Sequence, residues 1–215
     1  MIDPHRNQPV WESGHKLASA AGAVILLHGR GASPQDILGL AGEFKQPGLA
    51  YRAPEAAGHT WYPNSFLAPI EKNEPWLTSA LEKVKGIVAD IESDGIPRER
   101  IVIAGFSQGA CLASEYVARN AGRYGGVIAF TGGLIGPPNT KFSYAGTLAG
   151  TPAFFGAGDH DPHVPWERVQ ESATVLSAMG AEVVVKCYPG LPHTINPDEI
   201  AEARKILARL VVNIS

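Results

Sequence analysis

Along the chain, short runs in which nearly every position is apolar alternate with longer stretches in which apolar residues return every three or four positions. The continuous runs are Ala23-Val24-Ile25-Leu26-Leu27, Ile101-Val102-Ile103-Ala104, Gly126-Val127-Ile128-Ala129-Phe130 and Pro152-Ala153-Phe154-Phe155-Gly156. Runs of that length, bounded by glycine, predict strands buried on both faces. Leu49 to Pro54 and Ala181 to Tyr188 add two further strands. Val10-Trp11-Glu12-Ser13 reads as a short edge strand in an otherwise irregular stretch over residues 1–22.

Between the strands the period changes to that of a helix. Leu77, Leu81, Val84, Ile87, Val88 and Ile91 fall on one face of a helix that begins near Trp76 and ends at Asp94-Gly95. Ser33-Pro34-Gln35-Asp36 is a capping box with proline at the first helical position, and Asn196-Pro197-Asp198-Glu199 caps a last helix carrying Ile200, Ala203, Ile206, Leu207 and Leu210. Another helix spans Trp166 to Met179 and stops at Gly180. Strands alternating with helices predict an α/β protein, a mainly parallel sheet with helices on both faces, in a single domain over 1–215. In such a sheet the functional loops belong at the carboxyl ends of the strands.

One strand ends in Gly105-Phe106-Ser107-Gln108-Gly109, and the apolar residues resume beyond it at helical spacing. Glycine fills 24 of the 215 positions, so the bare Gly-x-Ser-x-Gly pattern says little by itself. Its setting says more: a buried strand before it and a helix after it make a sharp turn that exposes the serine hydroxyl beside unpaired helix amides. A hydroxyl there can act as a nucleophile if a base lies within reach, most often a histidine held by a carboxylate. Among the seven histidines, His193 lies between the last strand and the last helix, on the same edge of the sheet. His28 also follows a strand but precedes the serine, against the chain order Ser, acid, His. For the acid, Asp159 and Asp161 both follow the strand ending near Gly156. Asp161 is preferred because Pro162 and Pro165 fix its loop, whereas Asp159 directly follows Gly158 and can serve the turn itself. His160, Asp161 and His163 could alternatively bind zinc, but no further ligand cluster accompanies them.

An oxyanion hole needs two N–H donors. The backbone amide of Gln108, after the serine, and that of Arg30, in the loop after the first long strand, are the candidates. The Arg30 side chain could meet an anionic substrate group or simply face solvent. Trp61, Tyr62 and Phe66 in the long 55–75 loop, with Leu134 and Phe142 in the 131–150 loop, are candidates for an apolar pocket, and whether the 55–75 loop acts as a lid stays open.

Composition narrows the setting. A net charge of -3 leaves no basic footprint for nucleic acid. No apolar run has transmembrane length, and Met1 to Pro9 holds no signal-like core, so a cytoplasmic protein without integral membrane association is expected. Cys111 and Cys187, the two cysteines, both look buried and are expected to be free, inert thiols. A homodimer stays open.

Taken together, Leu27-His28-Gly29-Arg30-Gly31, the serine motif, Gly158-Asp159-His160-Asp161-Pro162-His163-Val164-Pro165 and Pro189-Gly190-Leu191-Pro192-His193 resemble the phospholipase/carboxylesterase branch of the α/β-hydrolases, which includes acyl-protein thioesterases. The resemblance extends from about Ala23 to the C-terminus. It implies an α/β-hydrolase fold, Ser107 as nucleophile, Asp161 as acid, His193 as base, hydrolysis of small esters or thioesters, and no cofactor. Arg30 departs from the small or apolar residue usual in the thioesterases, and Trp61-Tyr62-Pro63 with Asn73-Glu74-Pro75 is more like bacterial carboxylesterases of the branch. A serine carboxylesterase is therefore expected, with an acyl-thioesterase or lysophospholipase on the same triad as the alternative. A non-catalytic ligand-binding protein on the same fold is the alternative outside enzymes.

Overall fold

The computed structural model describes residues 3–211. Met1 and Ile2, at the head of the stretch expected to be irregular and free of a signal, and residues 212–215 of the expected domain lie outside the described residues.

Among the described residues seven strands form one sheet: β1 (Val10–Gly14), β2 (Gly22–Leu27), β3 (Leu49–Pro54), β4 (Ile101–Phe106), β5 (Gly126–Phe130), β6 (Pro152–Gly158) and β7 (Glu182–Tyr188). Their spatial order is β1-β3-β2-β4-β5-β6-β7. All neighbours run parallel except β1, which pairs antiparallel to β3 with Val10 opposite Pro54. The helices are α1 (Pro34–Phe44), α2 (Trp76–Ser93), α3 (Gln108–Arg119), α4 (Trp166–Ala178) and α5 (Pro197–Val211). None among the described residues is long and apolar enough to cross a membrane.

Each face of the sheet has its own core. Ile25, Ile103 and Phe155 point to the side covered by α2, α3 and α4, while Val24, Val102 and Phe154 point to the side covered by α1 and α5. Burial on both faces explains why β2, β4, β5 and β6 read as unbroken apolar runs rather than alternating ones. The predicted caps form as well. Ser33 Oγ accepts the Asp36 amide while the Asp36 carboxylate accepts the Ser33 amide, and Asn196 and Glu199 exchange the same pair of bonds at the start of α5.

At the outer edge the expectation for Cys187 fails. Cys111 is buried in α3, but Cys187 lies exposed in β7, whose Val184 and Val185 are also exposed at 45% and 43%. As an edge strand, β7 has no further strand beside it among the described residues, so its apolar sequence overstates its burial. Both thiols are free.

Candidate active site

Ser107 stands between β4 and α3 with φ 55° and ψ -119°, a backbone conformation that a side chain rarely adopts. Close packing of the elements on either side holds it there. A Cβ on Gly109 would lie 2.0 Å from the Leu27 carbonyl oxygen, and one on Gly105 would lie 2.4 Å from the Gly109 backbone, so both positions require glycine for strand and helix to cross. The Ser107 amide donates to the Phe130 carbonyl (3.0 Å), which fixes the turn against β5.

Two further loops reach the same edge. After β6, Asp161 Oδ1 accepts the amides of His163 (2.8 Å) and Val164 (2.9 Å), which aims its buried carboxylate. After β7, the loop carrying His193 is pressed against the end of β6, where a Cβ on Gly158 would lie 2.1 Å from the Leu191 carbonyl oxygen. Asp159, the other candidate acid, accepts the Gly190 amide at 2.9 Å and so braces the histidine loop instead of touching the imidazole.

The three side chains thereby meet in line. His193 Nδ1 lies 2.6 Å from Asp161 Oδ2, and Nε2 lies 2.9 Å from Ser107 Oγ. With a carboxylate at Nδ1, the proton of the neutral ring is assigned there and Nε2 accepts from the serine hydroxyl. Phe106 and His163 flank the ring at centroid distances of 4.9 Å and 4.8 Å. His28 is fully buried: Nδ1 donates to the Gly29 carbonyl (2.8 Å) and Nε2 accepts the Ala56 amide (3.1 Å). Burial lowers its pKa, and its nitrogens serve the backbone.

The amides proposed for an oxyanion hole face no protein acceptor among the described residues. Gln108 is the first residue of α3, where a helix N–H has no partner within the helix, and the Arg30 amide pairs with no carbonyl. Arg30, Tyr62, Asn64, Ser65, Phe66, Gln108, Cys111, His163 and Val164 line a cleft of about 430 Å³ that opens onto Ser107 and His193.

Of the expected pocket residues, Tyr62 and Phe66 line this cleft, whereas Trp61, Leu134 and Phe142 do not. Trp61 is fully buried, packs on His28 and His5, and donates its indole N–H to the His28 carbonyl (2.9 Å). Leu134 is fully buried, with its carbonyl bound by Arg168, and Phe142 stacks on Tyr144 and under the Arg168 guanidinium. The Arg30 side chain follows neither expected course in full. It is exposed, yet it donates to the carbonyls of Pro63 (2.9 Å) and Asn64 (2.6 Å) and fastens the cleft wall.

Sequence reasoning also missed the side chain of Gln108. Its Nε2 donates to the Tyr62 carbonyl (2.8 Å) and its Oε1 accepts the Trp61 amide (2.9 Å). A primary amide directly after the serine, able to donate and accept at once, was the available signal. His5 gave none: its Nε2 donates to the Trp61 carbonyl (3.0 Å) and its Nδ1 accepts the Ala57 amide (3.0 Å). Asp161 is fully engaged with His193 and its own loop, and no three His, Cys, Asp or Glu side chains converge on a metal position among the described residues.

A mostly parallel sheet with a strained serine between its central strand and a helix, and with an acid and a histidine on later loops of the same edge, defines an α/β-hydrolase. Within that class the chain belongs to the phospholipase/carboxylesterase family, whose profile matches residues 12–211. It is 48% identical to a phospholipase/carboxylesterase from Dyadobacter fermentans of known crystal structure, with a TM-score of 0.90 over 94% of this chain and 97% of that one. Over 125 residues it is 34% identical to acyl-protein thioesterase 1 of Gibberella zeae, a match covering 57% of this chain and 53% of that protein. The chain thus spans about half the length of that relative. Against acyl-protein thioesterase 1 of Saccharomyces cerevisiae the identity is 27%, over 90% of this chain and 95% of the relative.

Proposed function

We propose that the protein is a serine hydrolase of small carboxylic esters, with Ser107 as nucleophile, His193 as general base and acid, and Asp161 as the group that orients the imidazole. The observation that carries this reading is the unbroken line of hydrogen bonds from Asp161 through His193 to Ser107, at 2.6 Å and 2.9 Å. His193 Nε2 takes the hydroxyl proton as Ser107 Oγ attacks the ester carbonyl. The amides of Arg30 and Gln108 hold the oxyanion, and the imidazolium gives its proton to the departing alcohol. Water, deprotonated by the same nitrogen, then releases the acid from the acyl-enzyme. An oxyanion donor of this kind contributes about 10²- to 10³-fold in turnover. The cleft's modest volume, and its lining by Asn64, Ser65 and Arg30 as well as Phe66, favour short acyl or alcohol groups over long chains.

Hydrolysis of short 4-nitrophenyl esters tests the reading. Wild-type protein turns them over and is labelled by a fluorophosphonate, and Ser107→Ala loses at least ~10³-fold of that activity. Full activity in the alanine variant rejects the assignment. Acyl-thioester hydrolysis is the second reading, favoured by the names of the Gibberella zeae and Saccharomyces cerevisiae relatives. Parallel assays of esters and thioesters of matched acyl length decide between them by kcat/KM.

A further inference from the structure

Arg30 lines the cleft with two kinds of donor, a backbone amide and a guanidinium held on the cleft residues Pro63 and Asn64, and the second is unbalanced. Its guanidinium spends two of its five N–H donors on the carbonyls of Pro63 and Asn64. Carbonyls are neutral, so the clamp fixes the position of the charge without cancelling it. Among the described residues Arg30 forms no ion pair, unlike Arg52, Arg98, Arg119, Arg168 and Arg209, each of which meets a glutamate.

The rest of the cleft repeats the imbalance. Among the described residues no aspartate or glutamate lines it. Asp161 lies behind His193 with both oxygens engaged, and the bound imidazole separates it from the opening. His163, a second nitrogen donor, lines the same cleft, and the amino-terminal end of α3, with its partial positive charge, begins directly after Ser107. A fixed, unpaired cation in a concave wall free of acids is the arrangement that selects an anionic group.

We propose that Arg30 is a specificity residue and that the preferred substrates are small esters or thioesters bearing a carboxylate on the acyl side, which the remaining guanidinium donors bind while the scissile carbonyl occupies the oxyanion site. This proposal rests on the hydrolase reading above and names the substrate class of the same cleft. Loop fastening alone would account for the clamp but not for a cleft lining that lacks any counter-charge.

The test compares mono-4-nitrophenyl glutarate with its neutral methyl ester, which share the leaving group and the acyl length. Wild-type protein is expected to favour the anion by about tenfold or more in kcat/KM, the effect of one charge-assisted hydrogen bond. The preference falls as sodium chloride is raised from about 20 mM to about 500 mM, which screens a charge at a cleft mouth. Arg30→Gln abolishes the ratio between the two esters, and Arg30→Lys keeps part of it. Equal or better turnover of the neutral ester by wild-type protein overturns the proposal, as does an anion preference that survives in Arg30→Gln or is indifferent to salt. Should Arg30→Gln fail to fold, the wild-type ratio and its salt dependence still decide. Turnover of the neutral ester alone sinks the carboxylate preference and leaves the hydrolase reading standing; turnover of neither ester, with no fluorophosphonate labelling, overturns both.

Discussion

At Ser107 the backbone and the side chain make opposite demands. The fold requires φ 55° and ψ -119° there, a region that glycine enters freely and a Cβ makes costly by about 1–3 kcal/mol. The proposed chemistry requires a hydroxyl. Comparison of Ser107→Gly with Ser107→Ala separates the two demands, because both variants lack the Oγ that meets His193. The alanine variant keeps the strained Cβ, and the glycine variant relieves it at the expense of a more flexible unfolded chain. Ser107→Gly should therefore be more stable than Ser107→Ala by about 1 kcal/mol in urea unfolding, although neither hydrolyses esters. Equal stability of the two would mean that the turn stores no strain.

Between β3 and α2 the chain runs through the aromatic, proline-rich loop that walls the cleft, and here the element is held by side chains from far along the sequence. His5 and His28 accept the adjacent amides of Ala57 and Ala56, Gln108 grips Trp61 and Tyr62, and Asn73 binds the Asn64 amide and the Ser65 carbonyl. The Gly136 amide donates to the Phe66 carbonyl at 2.8 Å, so the second long loop is tied in as well. A loop fastened at this many points is a wall of the cleft. Its acid sensitivity follows from the two histidines, whose pKa values burial lowers below the ordinary 6.5. Protonation removes the lone pair that each offers to an amide. The native state binds fewer protons than the unfolded one, so this stabilisation is present above pH 6.5 and is lost as pH falls through the lowered values. Exchange protection of the Ala56 and Ala57 amides should fall by roughly tenfold per pH unit between pH 6.5 and the lowered values, and level off below them, while that of the β4 amides holds. Constant protection at Ala56 and Ala57 down to pH 4 would show that the histidines do not hold the loop. The same loop marks where the sequence stopped being readable. Strands, caps and the serine turn were legible because their signals are local: an apolar run, Ser33 three before Asp36, glycines flanking Ser107. Trp61 carried no such signal. In a stretch without periodicity nothing tells whether an indole faces a ligand or the core, and its partners His5 and His28 are distant in sequence. For Asp161 the signal was the pair Pro162 and Pro165, and for His193 its place between the last strand and the last helix; that Asp159 instead holds the Gly190 amide depends on how two short loops press together at Gly158 and Leu191, which no local pattern shows.

Across the whole molecule the pH response of stability is set by buried groups that pull in opposite directions, and Glu199 opposes the histidines. It sits at the third position of α5, fully buried, with Oε2 accepting the Asn196 amide and Oε1 without a partner among the described residues, 2.4 Å from where a Cβ on Gly156 would be. Burial raises its pKa from 4.5 to about 7; the Asn196 amide draws it down and the neighbouring Asp198 adds to the rise. The native state thus holds a proton over a range in which the unfolded chain has released it. A raised carboxyl of this kind adds stability that is complete below pH 4.5, declines as pH rises, and is gone above about 7. Glu199→Gln keeps the acceptor for the Asn196 amide and the side-chain volume while removing the titration. Between pH 5.5 and pH 8 the unfolding free energy of wild-type protein should fall relative to that of Glu199→Gln by about 2 kcal/mol. Because Glu199 bonds to Asn196 and to none of Ser107, Asp161 and His193 among the described residues, the pH dependence of ester turnover should be nearly the same in both proteins. Parallel stability profiles for the two proteins over that range would mean that Glu199 titrates as an ordinary carboxylate, and the alkaline loss would have to be sought elsewhere.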